Sequence, residues 1–351
     1  MTGTGTSPWP DVIGRLVRRE DLEPQAVEAA LGAILAGQAT DAQVAGFAVA
    51  LRAKGETPTE LAAMVRTMLR FAERVEVPGD GPLVDTCGTG GDRAGTLNVS
   101  TAAALVAAGA GARVAKHGNR AASSQAGSAD VLEALGVAID LGPAGVARCI
   151  AEAGIGFCFA PRFHPALRFA GPARRELGVP TTFNFLGPLA NPAGVRRQVV
   201  GVSDPAMAQR VVETLAELGA ERAMVFYGHD GLDELTTTTT STVRELVDGR
   251  IDRYTIDPTD VGLARARRED LLGGDATTNA RTVRSVLGGE PGPCHDIVVL
   301  NAAGALVVAG LAPDLAAGVR LAEESIADGR ATAALEALVR VSCAARDAGE
   351  A

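Results

Sequence analysis

The sequence predicts an α/β protein with a mostly parallel central sheet flanked by helices, preceded by a helical N-terminal segment. Three observations carry this. Residues 11 to 75 show helical patterning only. From residue 82 the pattern becomes short apolar runs alternating with helical stretches, the grammar of a parallel sheet with crossover helices. The composition is rich in small residues and poor in aromatic ones, with 42 glycines and 3% aromatics, which suits helices packed closely on a sheet. At 351 residues the chain is long enough for two domains.

The first elements read clearly. Pro24 to Ala36 carries Val27, Ala30, Leu31, Ile34 and Leu35 at helical spacing. Thr40 and Gln43 form a capping-box signature ahead of Val44, Phe47, Ala48 and Leu51. Thr57-Pro58-Thr59-Glu60 is a stronger start signal, with an N-cap, proline at N1 and glutamate at N3. Three such short helices bury little surface alone, so they are expected to pack on a later helical segment or a second subunit. Residues 1 to 10 match no pattern, and Val77 to Gly81 reads as a hinge.

Strands are then expected at 82–84, 112–115, 137–139 and 155–160, with helices at 100–110, 129–135 and 146–153. His164 to Gly178 is a basic helical segment, and Pro180 to Pro192 a fixed irregular crossing. The strand–helix alternation resumes with strands at 198–202 and 222–227 around a helix from Asp204 to Leu218. The threonines 236–240 read as an edge strand. Runs at 243–248 and 251–256 flank Gly249-Arg250 as a hairpin. Asp296 to Leu300 is expected as the last strand, followed by helices at 301–310, 314–328 and 332–343.

The chemistry concentrates at strand ends, where ligands of open α/β sheets bind. Asp85 to Asn98 reads Asp-Thr-Cys-Gly-Thr-Gly-Gly-Asp-Arg-Ala-Gly-Thr-Leu-Asn. It matches neither of the common nucleotide-loop patterns. Four glycines before a helix start nevertheless suggest a phosphate or pyrophosphate cradle, with Asn98, Ser100 and Thr101 adding polar side chains. Asp92 would repel a phosphate unless it serves a sugar hydroxyl or a cation shell. Lys116-His117-Gly118-Asn119-Arg120, followed by Ala121-Ala122-Ser123-Ser124, supplies cations and hydroxyls. Asp233-Glu234 follows a strand and an Asp-Gly turn. Beside phosphates, such a pair suits Mg²⁺, which takes one or two carboxylates plus phosphate oxygens. Arg174 could pair with a substrate carboxylate. Each cluster also has a plainer structural use: a βα turn, N-capping, a solvated loop, exposed acids.

The totals exclude other classes. A net charge of −9 argues against nucleic acid or anionic membrane as partner. Five cysteines without a C-x-x-C pair argue against a disulfide framework or structural zinc and fit a reducing cytoplasm. No signal peptide is evident, and the apolar run 297–311 is too short to span a membrane.

Gly88 to Asp92, Asn98 to Thr101, Lys116 to Ser124, Asn184 to Pro192 and Gly231 to Glu234 together resemble, in order and over nearly the whole chain, the anthranilate phosphoribosyltransferase family of tryptophan biosynthesis. The resemblance implies a fold of nucleoside phosphorylase/phosphoribosyltransferase type. Its small helical domain would take residues 1–78 and a segment near 164–190; its large α/β domain would take 79–163 and 191–351. It implies transfer of 5-phosphoribosyl from phosphoribosyl pyrophosphate to the anthranilate amino group. Phosphoribosyl pyrophosphate would be held by Gly88, Gly91, Asp92, Thr96, Asn98, Val99, Ser100, Thr101, Lys116, His117, Gly118, Asn119, Arg120, Ala121, Ala122, Ser123 and Ser124, with Ser128 nearby. Gly88, Asn119 and Arg174 would contact anthranilate, and Ser100, Asp233 and Glu234 would hold Mg²⁺, two ions per subunit. No acid or base is assigned; His117 is the nearest candidate. A cytoplasmic homodimer is expected, with no nucleic-acid or membrane partner. The rival readings are pyrimidine nucleoside phosphorylases, which carry Ser at the position of Gly118 and lack the Asp233-Glu234 pair, and a non-catalytic nucleic-acid-binding relative.

Overall fold

The computed structural model describes residues 8–79, 81–92, 94–121 and 125–351. Four helices come first: α1 (Trp9–Val17), α2 (Pro24–Leu35), α3 (Asp41–Lys54) and α4 (Pro58–Arg70). Both anticipated capping boxes form, Thr40 with Gln43 and Thr57 with Glu60. The α/β part follows: β1 (Leu83–Gly88), α5 (Val99–Gly109), β2 (Arg113–Gly118), α6 (Ser128–Ala134), α7 (Pro143–Ala153) and β3 (Ile155–Phe159). The chain then crosses through α8 (Ala160–Phe163), a 3₁₀ turn (Pro165–Ala170), α9 (Gly171–Leu177) and α10 (Phe183–Leu189). It returns as β4 (Arg197–Gly201), α11 (Pro205–Glu217), β5 (Arg222–Gly228), β6 (Ser241–Val247) and β7 (Arg250–Ile256). Four helices close it: α12 (Ala276–Leu287), α13 (Pro293–Ala309), α14 (Leu315–Ala327) and α15 (Arg330–Asp347).

One seven-stranded sheet runs in the order β3-β2-β1-β4-β5-β6-β7. Its first five strands are parallel and the last two antiparallel. The chain winds outward from β1 to β3, then jumps back to place β4 on the other side of β1. The β1/β4 pair is therefore the topological switch point, and its register ends with Gly88 opposite Gly201. Crevices at such points are where open α/β sheets hold ligands.

The hydrophobic core has two parts. One packs α5, α12, α13, α14 and α15 with β1 to β3, through residues such as Leu105, Val114, Leu300 and Leu335. The other joins Phe47, Leu51 and Met64 of the N-terminal helices to Phe183 and Leu186, to Met207 and Val211 of α11, and to Val200 and Val225. The first four helices thus bury their apolar faces within the chain. A second subunit is not needed to explain them.

Four expected elements differ. Val137–Ile139 is not a strand, because α6 ends with a reversal in which Val137 N–H donates to Leu132 O and Gly136 takes φ 100°. The threonine run is irregular, its hydroxyls and amides bonded locally instead of to a ladder. Asp296–Leu300 lies in α13, started by Pro293 at N1; this helix is buried on nearly every side, so its sequence shows no helical period. The irregular 180–192 crossing contains the seven-residue α10. The polar helix α12 gave no clear signal.

Candidate active site

Three segments meet beyond the C-terminal ends of β1, β2 and β4. The glycine loop leaves β1 beside β4: Thr89 N–H donates to Gly201 O at 2.9 Å, and Ser203 Oγ donates to Gly90 O at 2.8 Å. Its far end pairs with residues 271–273, where Leu97 N–H donates to Leu271 O at 3.1 Å and Gly273 N–H to Gly95 O at 2.8 Å. The loop is held at both ends. Between them, the amides of Gly91 and Asp92 make no hydrogen bond among the described residues. They remain as donors for an anion.

The Asp233-Glu234 pair reaches this loop from β5. Asp233 Oδ2 accepts from Gly90 N–H at 2.7 Å, and Glu234 Oε1 accepts from Ser100 N–H at 3.2 Å. The sequence places these carboxylates 143 and 134 residues from their partners, and the fold brings them together. Close approach needs glycine at two points. A Cβ on Gly88 would lie 2.5 Å from Asp233 Oδ2, and one on Gly201 only 1.7 Å from the Asp233 carbonyl oxygen. Gly88 was legible as a loop glycine; Gly201, inside a plain strand run, carried no such signal.

The electrostatics of the pair are unbalanced. Burial raises the Asp233 carboxyl well above its ordinary value, and the neighbouring Asp92 charge raises it further. Glu234 is raised by burial and then by Asp233. The nearby cation is Lys116, itself lowered by burial. That one desolvated ammonium is shared between Glu234 and the buried Asp85, so the mutually crowded Asp92, Asp233 and Glu234 form a site short of positive charge.

Lys116 lies deeper than expected. Its strand continues through Gly118, and its ammonium donates to Thr86 O at 2.5 Å, with Thr86 Oγ1 and Ser100 Oγ each at 3.4 Å. It is 2% exposed. In this arrangement it braces β1 and the start of α5 from below. The first-turn amides of α5 are likewise engaged: Val99 with Leu97 O, Ser100 with Glu234, and Thr101 and Ala102 with Asn98 O. The helix start therefore offers its dipole and the Ser100 and Thr101 hydroxyls more than free N–H groups. The Thr101 hydroxyl is buried and lacks a partner among the described residues.

His117 is fixed as a neutral ring. Its Nδ1–H donates to Gly187 O at 2.9 Å, its Nε2 has no partner among the described residues, and burial pushes its pKa down to about 3. Such a ring stays neutral at neutral pH, with its one proton committed to Gly187 O and its Nε2 a very weak base. The His164 ring sits 5.1 Å away and donates from Nε2 to Ala190 O. Asp85, absent from the expected site, ties the floor together. It accepts from His117 N–H at 3.0 Å and from Asn191 Nδ2 at 2.8 Å, and burial pushes its pKa up to about 6.

Beyond Gly118 the chain turns over α6. Ser128 Oγ accepts from Asn119 N–H and donates to Asn119 O, both at 3.2 Å. The Arg120 guanidinium is engaged by Asp130 and Glu133 at 2.8 and 2.9 Å. Asn98 is braced by Asn279, whose Nδ2 donates to its Oδ1 at 2.9 Å. Thr96 faces Leu272. Ala121 N–H donates to Asp130; Ala122, Ser123 and Ser124 lie outside the described residues.

Arg174 stands apart on α9. Its guanidinium lies 5.6 Å over the Phe183 ring and is lowered from its ordinary pKa by burial. It has no hydrogen bond or ion pair among the described residues. It is joined to the rest of the site through α10, which begins at Phe183 and bonds His117 through Gly187. Among the described residues no group of three or more His, Cys, Asp or Glu is arranged to hold a metal ion alone, and no helix is long and apolar enough to cross a membrane.

Comparison with known proteins adds the following. Residues 80–332 match the α/β domain of a glycosyl transferase family, and residues 10–72 its helical bundle domain. The anthranilate phosphoribosyltransferase of Nocardioides sp. is 54% identical over 335 residues, covering 94% of this chain and 97% of that protein. The crystal structure of anthranilate phosphoribosyltransferase from Thermus thermophilus superposes with a TM-score of 0.90 at 46% identity, over 95% of this chain and 99% of that one. The Saccharomyces cerevisiae enzyme in complex with PRPP and Mg gives 0.89 at 27% identity, over 97% and 99%. The same yeast enzyme is also known in complex with 4-fluoroanthranilate, with 0.87 at 26% identity, over 96% and 99%.

Proposed function

The chain belongs to the anthranilate phosphoribosyltransferase family, and on that premise we propose that it transfers the 5-phosphoribosyl group of phosphoribosyl pyrophosphate to the amino group of anthranilate, releasing pyrophosphate, in tryptophan biosynthesis. One observation carries the reading most directly. A carboxylate pair is fixed against a glycine loop at the sheet's switch point, with Asp233 on Gly90 N–H and Glu234 on Ser100 N–H.

The residues fit Mg²⁺. Asp233 and Glu234 are hard oxygen donors crowded by like charge, and Mg²⁺ is commonly held by one or two carboxylates with substrate phosphates completing its shell. Asp233 and Glu234, with the Ser100 hydroxyl, would hold it, with two ions per subunit as the finer expectation. When bound, the metal supplies charge that neutralises the pyrophosphate leaving group.

The chain's own residues do the rest. The Gly91 and Asp92 amides, the Ser100 and Thr101 hydroxyls and the α5 dipole receive phosphate oxygens in a preorganised cradle. Asp92 faces the sugar or metal shell. Lys116 and Asp85 hold β1 and β2 in register below. Arg174 takes the anthranilate carboxylate, with Gly88 and Asn119 bordering the ring. The arylamine is nucleophilic without deprotonation, so attack on ribose C1 opposite the leaving group is driven by positioning. The neutral His117 lines the site.

The helical part is proposed to span 1–78 with 164–190, and the α/β part 79–163 with 191–351. A homodimer through the helical part is the finer expectation, and Val17 and Val49, exposed on α1 and α3, are apolar side chains it would cover. The test of function is a fluorescence assay. Anthranilate emission should fall only with phosphoribosyl pyrophosphate and Mg²⁺ both present; loss with either omitted, or no loss with both, would refute it.

A further inference from the structure

Two features of the sequence have no part in the chemistry above. They are Asn301, a polar interruption in the almost wholly buried helix α13, and the threonine run 236–240. Both converge on the connection that carries Asp233 and Glu234.

Asn301 is 4% exposed in the middle of α13. Its side-chain amide is spent on the backbone of Leu235, the residue after Glu234. Oδ1 accepts from Leu235 N–H at 3.0 Å, and Nδ2 donates to Leu235 O at 2.9 Å. The second Nδ2 hydrogen goes to Ile297 O at 2.8 Å. This amide imitates a strand partner for one peptide unit, and it does so from a helix that is otherwise core. An alkyl side chain of that volume would leave the Leu235 N–H and C=O buried and unbonded.

Asp230 closes the connection from the other side. Its Oδ1 accepts from Leu232 N–H at 3.2 Å, and its Oδ2 from the Thr236 hydroxyl at 2.7 Å and the Thr238 hydroxyl at 2.5 Å. The residues bonded to this one carboxylate lie on both sides of Asp233-Glu234. Thr236 N–H is also fixed, on Ser241 Oγ at 2.9 Å. The two acids are thus pinned from before, behind and below.

We infer that Asp230 and Asn301 are positioning residues that aim the Asp233-Glu234 pair at the cation of the site. Neither touches the reacting atoms. This rests on the metal reading proposed above. Groups that orient metal ligands typically contribute 10–100-fold to metal affinity, so their loss should appear in cation binding before it appears in folding.

The experiment uses the full chain with phosphoribosyl pyrophosphate and Mn²⁺ as the probe, reading free Mn²⁺ by electron paramagnetic resonance. Asp230→Ala, Asn301→Leu and the near-isosteric pair Thr236→Val with Thr238→Val are compared with Asp233→Asn. The threonine pair guards against an Asn301 variant that fails to fold. Mn²⁺ affinity should fall about 10–100-fold in the folded Asp230 and Asn301 variants and to a smaller extent in the threonine pair. Asp230→Asn, which keeps the Leu232 bond, should recover part of the loss. Parent-like affinity in folded Asp230→Ala and in the threonine pair, with Asp233→Asn impaired, overturns the inference. Parent-like affinity in Asp233→Asn as well overturns the metal reading, and the inference falls with it.

Discussion

Replacing Arg174 with alanine separates the two substrates. In the structure its guanidinium is partly desolvated over Phe183 and has no anionic partner among the described residues. The free protein therefore carries a burial cost with only a cation–π contact, about 0.5–1 kcal/mol, to set against it. Truncation should shift stability by no more than about 1 kcal/mol in either direction. Substrate is affected differently. A charge-assisted contact to a carboxylate contributes about 1.5–3 kcal/mol, which corresponds to a roughly 10- to 150-fold rise in the anthranilate KM at tenfold per 1.4 kcal/mol. The KM of phosphoribosyl pyrophosphate should hold within about twofold, because the site proposed for that substrate lies at the strand ends. Arg174→Lys, which keeps charge without the planar fork, should fall between. The assay is initial velocity by anthranilate fluorescence over a grid of both substrates, with a urea titration for stability. Equal rises in both KM values, or a change in kcat alone, would refute the assignment.

Other consequences follow from the same geometry. Gly201→Ala places a Cβ 1.7 Å from the Asp233 carbonyl oxygen, so the loop must move by an ångström or more, and kcat/KM should drop about 100-fold; near-parent activity with intact circular dichroism would contradict it. His164 is held neutral, its pKa pushed down to about 4 by burial. The folded state refuses a proton that the unfolded state takes near pH 6.5, so this contribution is complete above pH 6.5 and is lost as pH falls toward 4. By linkage it removes about 2 kcal/mol between pH 7.5 and 5. Raised groups such as Asp85 act in the opposite sense, so the readout is the difference in slope. Unfolding free energy of His164→Gln should fall about 2 kcal/mol less over that interval than the parent's; identical slopes would contradict the burial argument. Glu56 is buried and accepts from the Thr182 hydroxyl at 2.5 Å beside Arg52 and Arg210. Because those guanidiniums keep 28% and 35% exposure and can be rehydrated, Glu56→Gln should cost about 1–3 kcal/mol, short of the loss for a fully buried pair. No change in the urea midpoint would show that this network contributes nothing.

What could be read from the residues alone was local. Thr57-Pro58-Thr59-Glu60 names a helix start because the capping bonds lie within four residues. Leu83-Val84 and Arg113-Val114 name strands because the next signals are glycine turns. The site's polar groups were visible as residue types at strand ends. Their directions were not, because these depend on partners far along the chain. Lys116 looked like a phosphate ligand, and only the packing of β1 against α5 turns it toward Thr86 and Ser100. Asn191 and Gly201 carry no chemical signal in sequence, yet one bonds Asp85 across 106 residues and the other makes room for Asp233. The elements that differ from their local pattern do so for a similar reason. Ile297–Leu300 is apolar on every face because α13 is enclosed, and without an exposed side neither period shows. The threonines lost their strand because Asp230 offers a nearer partner than a sheet edge.

The central claim is that the glycine loop and the Asp233-Glu234 pair form one site for pyrophosphate and its metal. The most direct test is a crystal structure of this chain with phosphoribosyl pyrophosphate and Mn²⁺, located by its anomalous signal. A Mn²⁺ peak is expected between pyrophosphate oxygens and Asp233 or Glu234, with the phosphates against the Gly91 amide and the Ser100 hydroxyl. A peak remote from both carboxylates, or pyrophosphate bound away from the loop, would contradict it.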